Sequence, residues 1–329
     1  MGATARAAAV VAVGAGVSDE LAALIDAELR RPVPPPVSAL AARLAERAGT
    51  NTVAVLFYGS GLRDQALDGV LDFYVLIDRC SDWPGSRRAA FANRLLPPNV
   101  GYLEVGAEEG GPSLRVKYAA MTLSQFRRGM SMSSIDTTLW ARFSQPCACV
   151  LVRSEADRMA VRDAVSAAAV TASRWAALLG PPRGDGATYW RVLYQRTYAA
   201  ELRVERNSRG ADLLAGAESR YEQLLPAAWC AAGLPFSALS HGDLEPAIGD
   251  AERARAGRRW RLRQQLGGPL NLLRLLKAAA TFDNAIDYVA WKVERHSGYR
   301  IEPSPFQRRH PLLAAPWLYW RLRRLGVLR

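Results

Sequence analysis

Histidine, cysteine and long apolar runs are scarce in this sequence, and each shortage excludes a class of site. Three histidines in 329 residues disfavour histidine-based catalysis and a histidine-rich metal centre. The four cysteines have neither zinc-ligand nor disulfide spacing, which is typical of a reducing cytosol; they are Cys80, Cys147, Cys149 and Cys230. No segment contains the roughly 18 uncharged apolar residues that a membrane-spanning helix needs.

Acidic side chains are also in the minority. Lysine and arginine total 43 against 31 aspartate and glutamate residues, which gives a formal net charge of +12. Such an excess suits an anionic partner, whether a nucleic acid, an anionic lipid or a nucleotide triphosphate, and does not choose among them. Because 50% of the residues are hydrophobic, a chain of this length can bury a sizeable core, in two domains or in one domain with appendages.

The most informative stretch runs from residue 51 to residue 78. Residues 53–58 form an unbroken β-branched and aromatic run, which predicts a buried strand. The turn Gly59-Ser60-Gly61 follows, and such a turn can approach a ligand closely and offer it backbone N–H groups and a hydroxyl. Residues 70–77 predict a second apolar strand, which carries Asp72 near its start.

A carboxylate inside an apolar strand needs a partner, because an unpaired buried charge is expensive. That partner is normally a metal ion, a cation or a dense set of hydrogen-bond donors. A strand, a Gly-Ser turn and an acidic residue on the next strand are the parts of a nucleotidyltransferase site, in which the turn holds a triphosphate and the acid holds Mg²⁺. The sequence therefore predicts a nucleotide site with Asp72 as a metal ligand.

The second metal ligand of such a site is harder to place. Two carboxylates at alternate positions of one strand would face the same metal pair, but the same-face neighbours of Asp72 are Val70 and Tyr74. Asp68 has the right parity and lies about 13 Å away along an extended strand. Glu104, on the following predicted strand, is the other candidate.

A further predicted strand carries a lysine. Residues 113–121 alternate between apolar and polar side chains, which indicates a strand with a core face and a polar face. Lys117 on the polar face could offset the charge that develops as pyrophosphate leaves. The same pattern fits a solvated edge-strand lysine that protects the sheet against aggregation.

Several short motifs in the first half of the chain occur together. They are YGSGL at residues 58–62, VLDFYVLID at 70–78, Asp82-Trp83, Val100-Gly101-Tyr102, RVKY at 115–118 and RFSQP at 142–146. In this order they resemble the mitochondrial-type phosphatidate cytidylyltransferases, which are Mg²⁺-dependent CDP-diacylglycerol synthases with a nucleotidyltransferase fold, peripheral on the membrane. The resemblance covers most of residues 50–150.

The resemblance implies an enzyme that transfers a cytidylyl group from CTP to phosphatidic acid or a related lipid phosphate. The expected products are CDP-diacylglycerol and pyrophosphate, with Mg²⁺ as cofactor. Asp72 and Lys117 would be catalytic, and Tyr58 and the turn Gly59-Ser60-Gly61 would bind the nucleotide. The metal ligands would be Asp72 with Glu104 or Asp68.

The expected fold class is α+β, with a nucleotidyltransferase-type mixed sheet, flanking helices and a mainly helical second domain. The expected boundaries are 1–150 for the sheet domain with its N-terminal helices, 151–298 for the helical domain and 299–329 for a basic aromatic tail. A long buried helix is predicted from Leu275 onward. Its Lys277 is interpreted as a lysine that extends its charged end from an apolar helix.

The tail combines aromatic and basic residues in the way interfacial helices do. Trp317 and Trp320 lie close to Arg321 and Arg324, and indole rings favour the headgroup layer of a bilayer while arginine favours an anionic surface. The tail therefore predicts a cytoplasmic protein, peripheral on the inner face of the cell membrane. Nucleic acid is not the expected partner.

Two other interpretations of the sequence stay open. One is a nucleotidyltransferase that acts on nucleic acid or on a small soluble acceptor. The other is a membrane-surface protein that kept this fold without the reaction, which the missing second acid beside Asp72 favours.

Overall fold

The computed structural model describes residues 9–11, 17–64, 67, 69–106, 113–200, 213–281, 286, 290, 293–294, 302–309, 320 and 324. These residues form a mixed α and β structure with a five-stranded mixed sheet and flanking helices, as expected for the α+β class. None of the described helices is both long enough and apolar enough to cross a membrane.

Eight strands and eleven α-helices are formed by the described residues. The strands are β1 (Ala9–Val11), β2 (Thr52–Tyr58), β3 (Val70–Ile77), β4 (Asn99–Val105), β5 (Leu114–Thr122), β6 (Cys147–Val152), β7 (Phe236–Ala238) and β8 (Leu244–Pro246). The α-helices are α1 (Val17–Leu29), α2 (Pro35–Ala48), α3 (Ser60–Arg63), α4 (Arg87–Leu95), α5 (Leu123–Gly129), α6 (Thr138–Phe143), α7 (Glu155–Leu179), α8 (Gly186–Ala200), α9 (Glu218–Ala231), α10 (Asp250–Thr281) and α11 (Pro305–Arg309).

The chain divides into two compact units, each built from three segments. The sheet unit contains Pro32–Leu123, Cys147–Ser154 and Leu272–Arg329, and the helical unit contains Met1–Arg31, Ser124–Pro146 and Glu155–Asn271. The expected boundaries at residues 150 and 298 do not coincide with this division. The reason is that β6 completes the sheet by pairing with β2, whereas α1 packs against α7 and α9.

The five strands of the sheet unit pair in the order β4-β5-β3-β2-β6. Only β3 and β5 are parallel within this sheet; the other neighbours are antiparallel. The strands predicted over residues 53–58 and 70–77 are confirmed as β2 and β3. Because a parallel pair cannot be joined by a tight hairpin, the segment that contains α4 and β4 makes the crossover from β3 to β5.

One face of this sheet packs against α2. Leu44 of α2 lies in the same buried cluster as Phe57 of β2 and Phe73 of β3. Asp72 and Lys117 alternate along their strands with members of this cluster, so they project from the opposite face. The sheet thereby separates an apolar core from a face that carries the predicted polar residues.

The helical unit contains a buried ion pair between α1 and α9. Glu28 of α1 accepts two bonds from Arg220 of α9, one of them 3.2 Å from Nη2 to Oε1, and the third guanidinium nitrogen donates to the Ser144 carbonyl. Burial by itself lowers the pKa of Arg220, but the Glu28 carboxylate more than offsets this and the pKa is raised overall. The pair joins the two helices through a desolvated charge contact.

Arginine is also buried on α10. Arg263 is only 4% exposed and donates to the carbonyl groups of Ser134 and Met132 at 3.1 and 2.8 Å. Its guanidinium carbon lies 4.6 Å from the centre of the Trp175 ring. Burial, aided by the nearby Arg259, lowers the pKa of Arg263 to about 10.

Candidate active site

The junction between β2 and α3 brings a glycine against a carboxylate. Tyr58, the last residue of β2, pairs with Asp72 of β3, and Gly59 comes next. Gly59 has φ 88° and ψ −159°, a backbone conformation that is essentially restricted to glycine. A Cβ placed on Gly59 would lie 3.3 Å from Oδ2 of Asp72, so the carboxylate is packed directly beside the turn.

After Gly59 the chain turns at once into the short helix α3. The Leu62 and Arg63 N–H groups both donate to the Gly59 carbonyl, each at 3.2 Å. Ser60 is exposed at the start of this helix. The N–H groups of Ser60 and Gly61 belong to the first turn and have no acceptor within the helix, so they are oriented to meet an acceptor outside it.

Lys117 lies beside Asp72 on the neighbouring strand. The parallel register of β3 and β5 places Asp72 opposite Lys117, and both side chains project from the same face. Lys117 is half-buried. A cationic side chain and a carboxylate therefore stand next to each other, one strand spacing apart, near the glycine turn.

The aromatic ring of Tyr58 borders the site next to Asp72. Its ring centre lies 5.5 Å from that of Tyr74, which is buried on the same face of the sheet. The two rings keep Tyr58 at the edge of the turn, where an aromatic surface could stack against a planar base.

Glu104 is not brought together with Asp72. In the register, Lys117 pairs with Tyr102, and Glu104 lies two residues further along β4, so about 12 Å separates the Cα atoms of Glu104 and Asp72. The Glu104 carboxylate lies 3.5 Å from the Arg115 guanidinium and accepts a hydrogen bond of 2.6 Å from Ser113. The edge position of β4 explains this, because β5 lies between β4 and β3.

Some expected site residues lie outside the described part of the chain. They are Asp68, Trp317 and Arg321. Two of the four expected membrane-contacting residues are described: Trp320 is 55% exposed, and the Arg324 guanidinium lies 4.2 Å from the Trp320 ring centre. Within the described residues, no group of three or more histidine, cysteine, aspartate or glutamate side chains is placed to hold a metal ion.

Part of the family-like pattern turns out to support the sheet from its core face. A Cβ on Gly101 would lie 2.2 Å from the Tyr118 hydroxyl, so this glycine makes room for the tyrosine ring. Tyr118 packs against Trp83 with 5.7 Å between ring centres, and the Arg47 guanidinium lies 5.3 Å from the Tyr118 ring. Arg47 was not a predicted contact, because the periodicity of α2 indicates only a packing helix.

Lys277 is held at the end of the crossover helix α4. Its ammonium group donates to the carbonyl oxygens of Leu96 and Pro98, the former at 2.7 Å. Burial, with a smaller contribution from Arg274, lowers the pKa of Lys277 to about 8, and Cys80 opposes this shift. The Lys277 ammonium group thus donates to two backbone carbonyls. The sequence had instead predicted that this charge extends to solvent.

No protein-family model matches the chain. No curated protein matches it significantly either.

Proposed function

We propose that this chain is a nucleotidyltransferase that transfers a cytidylyl group from CTP to phosphatidic acid or a related lipid phosphate. The observation that supports the proposal is the contact of the Asp72 carboxylate with the Gly59 turn, with Lys117 in register beside it. The sequence resemblance supplies the identity of the nucleotide and of the acceptor. The products would be CDP-diacylglycerol and pyrophosphate.

The site fits Mg²⁺ through Asp72, the carboxylate that lies against the Gly59 turn. Magnesium usually keeps several of its waters and binds proteins through one or two carboxylates together with substrate phosphates, so a single aspartate at a triphosphate turn is sufficient. When bound, the ion would supply charge neutralisation for the phosphates. Asp72 would hold it, and the Gly59 turn fixes where that carboxylate lies.

The other residues of the site would position the triphosphate. The Ser60 hydroxyl and the N–H groups of Ser60 and Gly61 donate to phosphate oxygens, and Lys117 offsets the charge of the departing pyrophosphate. An oxygen of the lipid phosphate attacks the α-phosphorus while the bond from that phosphorus to the bridging oxygen of the β-phosphate breaks. Because the attacking phosphate is already anionic at neutral pH, positioning replaces general-base catalysis.

The proposal is tested with purified full-length protein, CTP, Mg²⁺ and phosphatidic acid, by measuring pyrophosphate release. We expect turnover that Asp72→Asn abolishes. Asp78→Asn is the matched control, since Asp78 follows the other end of β3 and pairs with Arg153. Absence of turnover on several different lipid phosphates, with a natively folded protein, would refute the proposal.

A second candidate is a membrane-surface protein with this fold and no reaction. The observation that favours it is the ion pair of Glu104 with Arg115, which holds this carboxylate on a strand that is not adjacent to β3. Under this alternative Asp72→Asn keeps full biological activity in a complementation assay. Loss of that activity in the Asp72→Asn variant would support the nucleotidyltransferase and contradict the non-catalytic alternative.

A further inference from the structure

Helix α4 presents its two large apolar residues to solvent and its single asparagine to the interior. Asn93 is fully buried and donates from Nδ2 to the Ala120 carbonyl of β5 at 3.0 Å. Phe91 and Leu95 are 64% and 68% exposed. A helix packed on a sheet normally turns its apolar stripe inward, so this arrangement is inverted.

The orientation of α4 is fixed by hydrogen bonds at its first turn and at Asn93. Ser86 caps the N-terminus by accepting a bond of 3.1 Å from the Ala89 N–H, and the Asn99 side chain donates to the Ala89 carbonyl at 3.0 Å. Phe91 and Leu95 are four residues apart and share one face, whereas Asn93 lies roughly 200° round the helix from Phe91. Rotating α4 to bury the apolar pair would break the bond from Asn93 to β5 and the bond from Asn99 to α4.

The charges around the exposed pair have a single sign. Arg87, Arg88 and Arg94 are exposed on the same helix, and no acidic residue occurs between Asp82 and Glu104. Arg87 and Arg88 occupy the first turn, where the helix dipole disfavours cations. Helix stability therefore does not explain their position, while attraction to an anionic partner does.

A second apolar pair belongs to the same unit. Leu272 and Leu273 of α10 are 58% and 54% exposed. Lys277 follows Leu273 by about one helical turn and is bonded to the Leu96 and Pro98 carbonyls just after α4. These bonds tie the last turns of α10 to the C-terminal end of α4.

We propose that α4, together with Leu272 and Leu273, docks on an anionic phospholipid bilayer. Phe91 and Leu95 enter the boundary between headgroups and acyl chains, and the three arginines contact lipid phosphates. A cationic helix with an exposed phenylalanine and leucine has the composition of helices that lie in the membrane interface. This contact is distinct from the one expected of the C-terminal tail.

The test is flotation of the full-length protein with vesicles of phosphatidylcholine alone or mixed with phosphatidylglycerol, without CTP. We expect binding to the mixed vesicles. The double variant Phe91→Ala/Leu95→Ala should weaken partitioning about tenfold or more. The double variant Arg87→Gln/Arg88→Gln should weaken it roughly 30-fold.

Matched controls exist on other helices and loops. Ile135→Ala/Met159→Ala removes two apolar side chains of similar exposure, 44% and 48%, and Arg127→Gln/Arg128→Gln removes an adjacent exposed arginine pair. Both controls should bind as the unaltered protein does. Because CTP is omitted, a missing transferase activity would not affect this result.

Two outcomes would overturn the proposal. One is undiminished vesicle binding by both α4 variants. The other is a dimer in gel filtration that Phe91→Ala/Leu95→Ala dissociates while vesicle binding is unchanged, which would make a second copy of the chain the occupant of this surface. If the apolar variant does not fold, the arginine variant decides, since Arg87 and Arg88 are exposed at the helix start.

Discussion

Gly59 shows how a single residue sets the geometry of the candidate site. Its backbone conformation turns the chain out of β2, and the absence of a side chain lets the Asp72 carboxylate lie against the turn. Glycine meets both requirements, the unusual backbone conformation and the missing side chain. Only the need for a turn is visible in the sequence. The sequence predicted that the turn and the acid belong together; it did not predict that a Cβ would crowd the carboxylate.

We expect Gly59→Ala to lower the free energy of unfolding by about 1–3 kcal/mol because of backbone strain, and to lower CTP turnover roughly 100-fold because Asp72 is displaced. Urea unfolding and pyrophosphate release measure the two effects. Gly49→Ala is the control: Gly49 has φ 55° and ψ −134°, but its Cβ would meet nothing within 4 Å. Equal turnover in the two variants would contradict a role for the contact.

Lys277 gives the protein a pH dependence of known sign. Its pKa is about 8 in the folded chain against 10.5 for an ordinary lysine, so between these values the unfolded chain binds more protons. The free energy of unfolding therefore rises as the pH increases from about 8 to about 10.5, where the charge penalty is relieved. Below a pH of about 8 the free-energy cost of burying the charged Lys277 ammonium group is fully present.

Urea unfolding across this pH window tests the linkage. Lys277→Met should remove the rise, and so should Lys277→Arg, whose charge persists at every pH in the window. Other groups, such as Tyr189 with a pKa raised to about 12 by burial, titrate identically in all three proteins and cancel in the comparison. If the free energy of unfolding still rises with pH in both variants, another titrating group causes the pH dependence.

At the scale of elements, strands were easier to predict than long helices. The apolar runs of β2 and β3 have no competing interpretation, and β3 has the predicted bounds Val70–Ile77. Helix α10 runs without interruption from Asp250 to Thr281, so the helix predicted from Leu275 onward continues one that begins 25 residues earlier. A Cβ on Gly267 would lie 2.2 Å from the Ala200 carbonyl oxygen, so this glycine is a close packing contact of α10.

The placement of β4 shows what sequence patterns could not supply. Alternation predicts a strand and its faces, but the order of strands in a sheet depends on contacts distant in the chain. Glu104 was a reasonable metal ligand for a strand next to β3, and β4 pairs with β5 instead. Strands as short as β1, β7 and β8 carry too few residues for any periodicity, and they were not predicted.

Helix α1 offers a comparison of two ion pairs on one element. Glu28→Gln removes one partner of the buried pair with Arg220 and should lower the free energy of unfolding by about 3–5 kcal/mol, because an uncompensated guanidinium stays buried. Asp26→Asn, which breaks the exposed pair with Arg30 on the same helix, should leave it almost unchanged. Thermal or urea unfolding of both variants measures the difference. Equal losses would mean that Glu28 acts through helix stability and not through Arg220.

At the scale of the whole molecule, the chain passes repeatedly between its two units. Residues 1–150 include α1, whose packing partners α7 and α9 come later in the sequence. They also include β6 only as far as Val150, without its last two residues. A fragment ending at residue 150 should therefore show no cooperative urea transition, since it leaves the apolar stripe of α1 uncovered. A sharp transition in this fragment would restore the simple boundary that the sequence suggested.

The parallel pairing of β3 with β5 has a kinetic consequence. Asp72 lies on the strand before the crossover and Lys117 on the strand after it. Helix α4 is part of the connection between these two strands. The element proposed to touch lipid therefore belongs to the connection that leads into the strand of the lysine proposed to touch phosphate. Interfacial activation is the behaviour this connection predicts: adding anionic vesicles that contain no acceptor should accelerate turnover of a water-soluble lipid phosphate.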